Sequence, residues 1–292
     1  MRVRPAASAT DPGLFELDAT APVAATPAIS HGGSLPVWSH AKARLIAEYL
    51  RLFVLITHHG TYIDGFAGPQ GDEECWSARH VLEIDPPWLR HFYLCDEAPT
   101  AVRQLQELRR AHLGRDVRVL GPGDFNLLVD GILDPAEIGA KEATFCLLDQ
   151  RCFECHWETV VKLARFKATA EFKIELFYFL ANAWLDRAIA ASTTPGGQAV
   201  INEWWGGEGW KVLRGAHHVD RAYLIAERFR SELGYRFAVP YEIYDREQGT
   251  RVMYYMIHAT DHPAAPDLMA RAYASAVRAP APEQLDLLAL LA

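Results

Sequence analysis

Several things that would settle a function quickly are scarce or missing in this chain. Cysteine is one: five residues in 292 are an odd number for a disulfide framework in a chain this long, so the expected compartment is the reducing cytoplasm. After Arg2 and Arg4 comes no apolar stretch of the kind a secretory signal carries. Nor does any run approach the roughly 18 uncharged apolar residues of a membrane span. Basic charge is also short. The net charge of −8 gives no overall field for neutralising phosphates, which weighs against sequence-independent nucleic-acid binding. One local basic cluster remains: Arg214, Arg221, Arg228 and Arg230, with His217 and His218. A P-loop Gly-Lys-Ser/Thr is missing, which argues against ATP, and so is the G-x-G-x-x-G fingerprint.

What is present is apolar. Half the residues are hydrophobic, enough for one large domain or a domain with an appendage. Residues 1–36 are rich in Ala, Pro and Thr without hydrophobic period and read as a flexible leader. Order begins at "WSHAKARLIAEYLRLFVLI", where Trp38, Ala41, Leu45, Tyr49, Leu52 and Ile56 recur at helical spacing and Ser39 stands as N-cap. Short apolar runs then alternate with amphipathic stretches. "TYIDGF", "HFYLCDE" (91–97), "DVRVLG" (116–121), "ATFCLLD" (143–149) and "FKIELFYFLA" (172–181) read as strands. Helices follow from Ala98, Asp124 and Trp157. Near the end, "AVPYEIY" and "TRVMYYMIHAT" flank the turn residues "DREQG" as an antiparallel hairpin. This rhythm predicts an α/β fold, Rossmann-like and of the class I methyltransferase type. Its sheet is mostly parallel and seven-stranded, with a C-terminal antiparallel hairpin and helices on both faces. The domain spans 37–278, a tail follows at 279–292, and residues 192–220, with "WWGGEGW", read as an insertion over one edge.

In open α/β sheets ligands lie beyond the carboxyl ends of the strands. After strand one comes "DGFAGPQG": Asp64 ends the strand, and Gly65, Gly68 and Gly71, with Ala67 between, let backbone approach a ligand. After strand two stand Asp96 and Glu97, placed either to accept from ribose hydroxyls or to cap the next helix. After strand three, Asp124 and Phe125 suit an adenine amino group and ring face, or Asp124 is a helix cap. After strand four, Asp149 faces the place of a transferred group, where a buried acid needs a partner or a ligand. Four marked strand ends in order favour an adenosyl-type cofactor.

Other clusters carry less. Cys152, Cys155 and His156 fall short of the four ligands of a zinc site, and buried structural thiols account for them better. Asp261 and His262, in "ATDHP", suit a turn better than a pocket rim. Trp204, Trp205 and Trp210 offer ring faces to a planar acceptor, although tryptophans are more often core.

On "YIDGFAGPQG", "FYLCDEAP", "GDFN", "LLDQ…W" and "YYMIHATDHP", spanning 38 to about 275, the chain resembles the three-Cys-motif partner family (TcmP), bacterial proteins with a methyltransferase-like domain. The resemblance implies S-adenosylmethionine as ligand and a neighbour-encoded partner, similar to radical-SAM enzymes, that holds the three cysteines. The Asp/Asn-Pro-Pro-Tyr/Phe of base amino-methylating enzymes is replaced here by "DQRC", with Asp149 keeping the leading position. Three functions follow as expectations. The first is a methyltransferase in which Asp64, Gly65, Ala67 and Gly68 cradle the methionine end. In it Asp96 binds ribose, Asp124 and Phe125 bind adenine, and Asp149 orients or deprotonates the acceptor. The second is a non-catalytic scaffold subunit working with the partner. The third is a nucleic-acid-processing enzyme drawing on the arginine cluster.

Overall fold

The computed structural model describes residues 37–69, 71, 73–245 and 251–277. The leader at 1–36, the hairpin turn at 246–249, the tail at 279–292 and the side chains of Trp38 and Ser39 lie outside the described part. Helix α1 (Val37–Thr57) begins two residues before Ser39, so Ser39 sits inside the helix rather than at its N-cap. Five parallel strands follow: β1 (Gly60–Asp64), β2 (Leu89–Cys95), β3 (Asp116–Leu120), β4 (Thr144–Leu148) and β5 (Glu175–Leu180). The connecting helices are α2 (Ser77–Leu82), α3 (Pro99–Ala111), α4 (Phe125–Ile132) and α5 (Trp157–Phe166). After β5 come α6 (Asn182–Ala191), α7 (Pro195–Trp205), a 3-10 turn (Glu208–Leu213) and α8 (His218–Ser231). The antiparallel pair β6 (Phe237–Tyr244) and β7 (Val252–Thr260) and helix α9 (Ala265–Ala276) complete the order.

The strands form one seven-stranded sheet in the order β3-β2-β1-β4-β5-β7-β6. β7 pairs antiparallel with β5, and β6 with β7. This is the mostly parallel Rossmann-like arrangement expected of a class I methyltransferase-like fold. Burial on both faces explains the short apolar runs. Ile63, Cys146, Leu148, Leu176, Tyr178 and Leu180 point to one face, into a core shared with α4–α8. Their neighbours Tyr62, Phe145, Leu147, Phe177 and Phe179 point to the other, against α1, α2, α3 and α9. Alternation in β1, β4 and β5 therefore separates two cores rather than core from solvent.

Residues 192–220 belong to the first of those cores. Trp204 and Trp210 are fully buried there, Trp205 nearly so, and Trp204 packs at 4.9 Å from Phe153. Gly206, in the left-handed region at φ 80°, ends α7 and lies where a Cβ would meet Trp157 at 2.7 Å. The "WWGGEGW" segment is thus a wall of the domain, and its tryptophans fill space instead of offering free ring faces.

Candidate functional site

Between β1 and β4 the sheet switches its direction of growth, which opens a crevice beyond their carboxyl ends. Both ends carry an acid: Asp64 is the last residue of β1, and Asp149 follows β4 directly. Between them lies a small recess lined by Asp64, Phe66, Ala67, Gly68, Asp149 and the Trp76–Ala78 segment at the start of α2.

The turn after β1 is held by backbone and by Asp96. The Ala67 N–H donates to the Cys95 carbonyl at 2.7 Å, and the Gly68 N–H donates to Asp96 Oδ2 at 2.9 Å. A Cβ on Gly68 would sit 2.3 Å from that same oxygen and 2.8 Å from the Ala101 Cβ, so only glycine lets the turn close on Asp96. Gly65 is equally constrained, by the Phe125 ring at 2.7 Å from the Cβ position. The indole of Trp76 donates to the Ala67 carbonyl at 2.7 Å and fastens the turn from the other side. Asp96 Oδ1 accepts from the Ala98 N–H at 2.8 Å, leading the chain into α3. One side chain thus fixes both the turn and the helix entrance. Each of its oxygens keeps a second lone pair for a ligand hydroxyl.

Asp64 is almost fully buried, accepting from the Tyr62 hydroxyl at 2.9 Å and the Phe66 N–H at 3.1 Å. Burial pushes its carboxyl up to about 7, against the pull of those two donors, and the nearby Asp149 and Asp96 push the same way. Asp149 meets a different environment. The Nζ of Lys42, reaching down from α1, lies 2.9 Å from its Oδ1 and 2.7 Å from its Oδ2. Lys42 is 2% exposed and Asp149 4%. The partner that a buried acid requires is therefore an ammonium of the chain itself. Its nitrogen also lies 5.2 Å from the Phe179 ring centre and 5.3 Å from that of Tyr254.

Lys42 is the site residue that the sequence reading missed. Its signal was a lysine between Ala41 and Leu45, on the apolar stripe of α1. A second missed residue is Asn182, the first residue of α6 just beyond β5, whose buried Oδ1 finds no donor among the described residues. Asn182 is not among the residues lining the recess, but it stands at the same end of the sheet.

Most of the other expected residues have structural partners of their own. Asp124 is the N-cap of α4, its Oδ1 accepting from the Asn126 backbone at 2.8 Å and the Asn126 amide at 2.7 Å. Phe125 is buried beneath Gly65 and packs on Phe66 at 6.0 Å. Glu97 is exposed. Asp261 and His262 follow β7, which runs against β5, and so stand at the opposite edge of the sheet from the recess. There Asp261 accepts from Lys173 and from the Arg236 N–H. The arginine cluster is internally satisfied. Arg221 is buried and pairs with Asp186, and Arg230 pairs with Glu227. Arg228 pairs with Glu232 and lies between Trp157 and Trp205 at 3.8 and 4.2 Å. Arg214 lies 4.8 Å over Trp210. Cys152 and Cys155 are free thiols raised by burial, Cys152 to about 12, and no metal-ligand cluster occurs among the described residues.

Comparison with known proteins gives a distant likeness in fold. No family model and no curated protein matches the chain. Among solved structures, the CurJ carbon methyltransferase is similar at 13% identity and a TM-score of 0.39, over 70% of this chain and 49% of that one. PH0851 is similar at 15% identity and a TM-score of 0.31, over 75% of this chain and 45% of that one. The chain thus spans about half the length of these structures. No helix among the described residues is long and apolar enough to cross a membrane.

Proposed function

We propose that the chain is an S-adenosylmethionine-dependent methyltransferase, with the cationic end of the cofactor in the acidic recess. The observation that carries this reading is the charge at that place. Asp64, Asp96 and Asp149 converge on the ends of β1, β2 and β4. Asp64 and Asp96 are held by neutral donors, while Asp149 pairs with Lys42. Buried or half-buried carboxylates with neutral partners favour a cation. S-adenosylmethionine brings two positive groups, a sulfonium and an ammonium, whereas nucleotide phosphates would be repelled.

The residues fit that cationic end. The recess is small, and its polar lining consists of Asp64, Asp149 and the Ser77 segment, so what it can meet is one charged end of the cofactor rather than the whole molecule. In this reading the Asp64–Gly68 turn holds the methionine end and Asp96 accepts from the ribose hydroxyls. Asp124 accepts from the adenine amino group, and Phe125 sets the height of the floor through Gly65. The bound cofactor supplies an electrophilic sulfonium methyl. The chain's part is to align an acceptor with it, since positioning supplies most of the rate in such a displacement. Asp149 at the recess wall and the Asn182 amide oxygen beyond β5 are the groups that orient an acceptor N–H.

The motifs that resemble the three-Cys-motif partner family extend the proposal to a partner protein of that kind, and the acceptor to a nucleic acid or to the partner itself. A second reading, a binding subunit without catalysis, is favoured by one observation: Asp149 is already paired with Lys42. Thermal shift separates the cofactor claim from its absence. S-adenosylmethionine should raise the melting temperature with concentration, more than its neutral thioether product does, and Asp96→Ala should abolish the effect. No shift for the natural chain, or an undiminished shift for Asp96→Ala, refutes the reading. Labelled-methyl transfer to DNA, RNA and the partner then tests for catalysis, and silence on all three supports the binding subunit.

A further inference from the structure

We propose that Lys42 is a positioning residue of the methyl-transfer site, holding Asp149 as a fixed anion in the recess wall so that it acts on a bound cation by its charge rather than as a proton acceptor. The inference rests on the methyltransferase reading and assigns the acceptor-side acid a different task from the one its place in the sequence suggested.

The geometry carries it in three steps. First, Asp149 both lines the recess and contacts Lys42, so the ammonium lies behind the carboxylate as seen from a ligand. Second, both carboxylate oxygens lie within 2.9 Å of one nitrogen. This fixes the plane of the carboxylate and holds it in its charged form, so that it is a weaker proton acceptor than an unpaired buried acid would be. Third, Lys42 itself has little freedom. It is fully buried, it lies near the ring faces of Phe179 and Tyr254, and its helix is fixed by Leu45, Ile46 and Tyr49 in the core. Around Asp149 stand Lys42 from α1, Tyr62 and Asp64 from β1, Tyr254 from β7, and Arg151 and Glu154 from the loop after β4. Lys42 is the cation in direct contact, and Asp64 is the acid whose charge opposes its own.

The test uses the full chain, with S-adenosylmethionine and S-adenosylhomocysteine as probes, titrated calorimetrically from pH 6 to pH 9. Lys42→Met keeps the bulk of the side chain and removes the ammonium, leaving a buried carboxylate that takes up a proton towards neutrality. Its affinity for S-adenosylmethionine should fall about tenfold at pH 6 and recover towards pH 9, while the neutral product changes little. Lys42→Arg should restore the natural profile. A folded Lys42→Met chain with the natural pH profile for both probes overturns the proposal. If Lys42→Met does not fold, Lys42→Met/Asp149→Leu removes both charges together, and buried pairs replaced in this way generally keep the fold. That double variant should lose the share of the sulfonium preference that Asp149 supplies, keeping what Asp64 and Asp96 give, and an undiminished preference for the sulfonium again overturns the proposal. If the natural chain binds neither probe, the methyltransferase reading fails and the role of Lys42 falls with it, an outcome distinct from binding that is insensitive to Lys42.

Discussion

Asp64→Asn should change how the stability of the chain depends on pH. The carboxyl is 1% exposed, and burial raises it from an ordinary 3.8 to about 7. A group raised in the folded state binds its proton more tightly there than in the unfolded chain. Its contribution to stability is therefore complete below about pH 4 and is lost as the pH rises through about 7. The interval from 3.8 to about 7 corresponds to about 4 kcal/mol at about 1.4 kcal/mol per pH unit. In a domain of this size that is on the order of 10 °C in melting temperature. Asparagine cannot ionise. Its one oxygen serves one of the two donors, since the Tyr62 hydroxyl donates to Oδ2 and the Phe66 N–H to Oδ1, and the loss of the other bond is a cost that does not vary with pH. Melting temperatures of the natural chain and the variant from about pH 4 to about pH 9 should diverge up to about pH 7, the variant gaining on the natural chain as the pH rises, and keep a constant difference above it. The difference between the two curves cancels every other titrating group that the substitution leaves untouched. A difference that stays flat across that range refutes the assignment of a strained, protonatable acid at the end of β1. Saturation with S-adenosylmethionine should reduce the divergence, because a cation beside Asp64 stabilises its ionised form.

Two other substitutions probe the surroundings. Gly68→Ala places a Cβ 2.3 Å from Asp96 Oδ2, and chemical denaturation should show a loss of about 1–3 kcal/mol together with weakened cofactor binding. Glu175→Ala, at the amino end of β5, strands the hydroxyls of Tyr49 and Thr260 and the imidazole of His258, all buried donors to one carboxylate. It should cost about 3 kcal/mol by urea unfolding, whereas a cost near zero would mean that the network contributes nothing.

The sheet was legible because its five parallel strands are apolar on both faces, so each appears as a compact run of about the length of a strand. The strand ends were legible for the converse reason: an acid or a glycine breaking such a run stands out. Helix α2, six residues of mixed character, has too little periodicity to read. Residues 192–220 read as an insertion over one edge because they interrupt the strand–helix rhythm, yet their glycines let the chain turn tightly beside Trp157 and Trp205. Lys42 was the most consequential omission. A lysine among helical residues ordinarily extends its tip to solvent, and its partner is 107 positions away, so nothing near it in sequence announces a buried charge. Asp124 shows the opposite limit, since a helix cap and an adenine ligand call for the same residue at the same place.

Helix α1 ties together two ends of the sheet that are otherwise chemically unrelated. Lys42 grips Asp149 where the parallel strands finish, and seven residues further on Tyr49 donates to Glu175 where β5 starts. At 1.5 Å per residue the two anchors are about 10 Å apart along a rigid rod. The height of the ammonium over the recess is accordingly gauged from the far side of the sheet, with the helix as the measuring stick. The carboxylate of Glu175, which the recess never touches, is therefore joined to the ammonium over the recess by two turns of one buried helix.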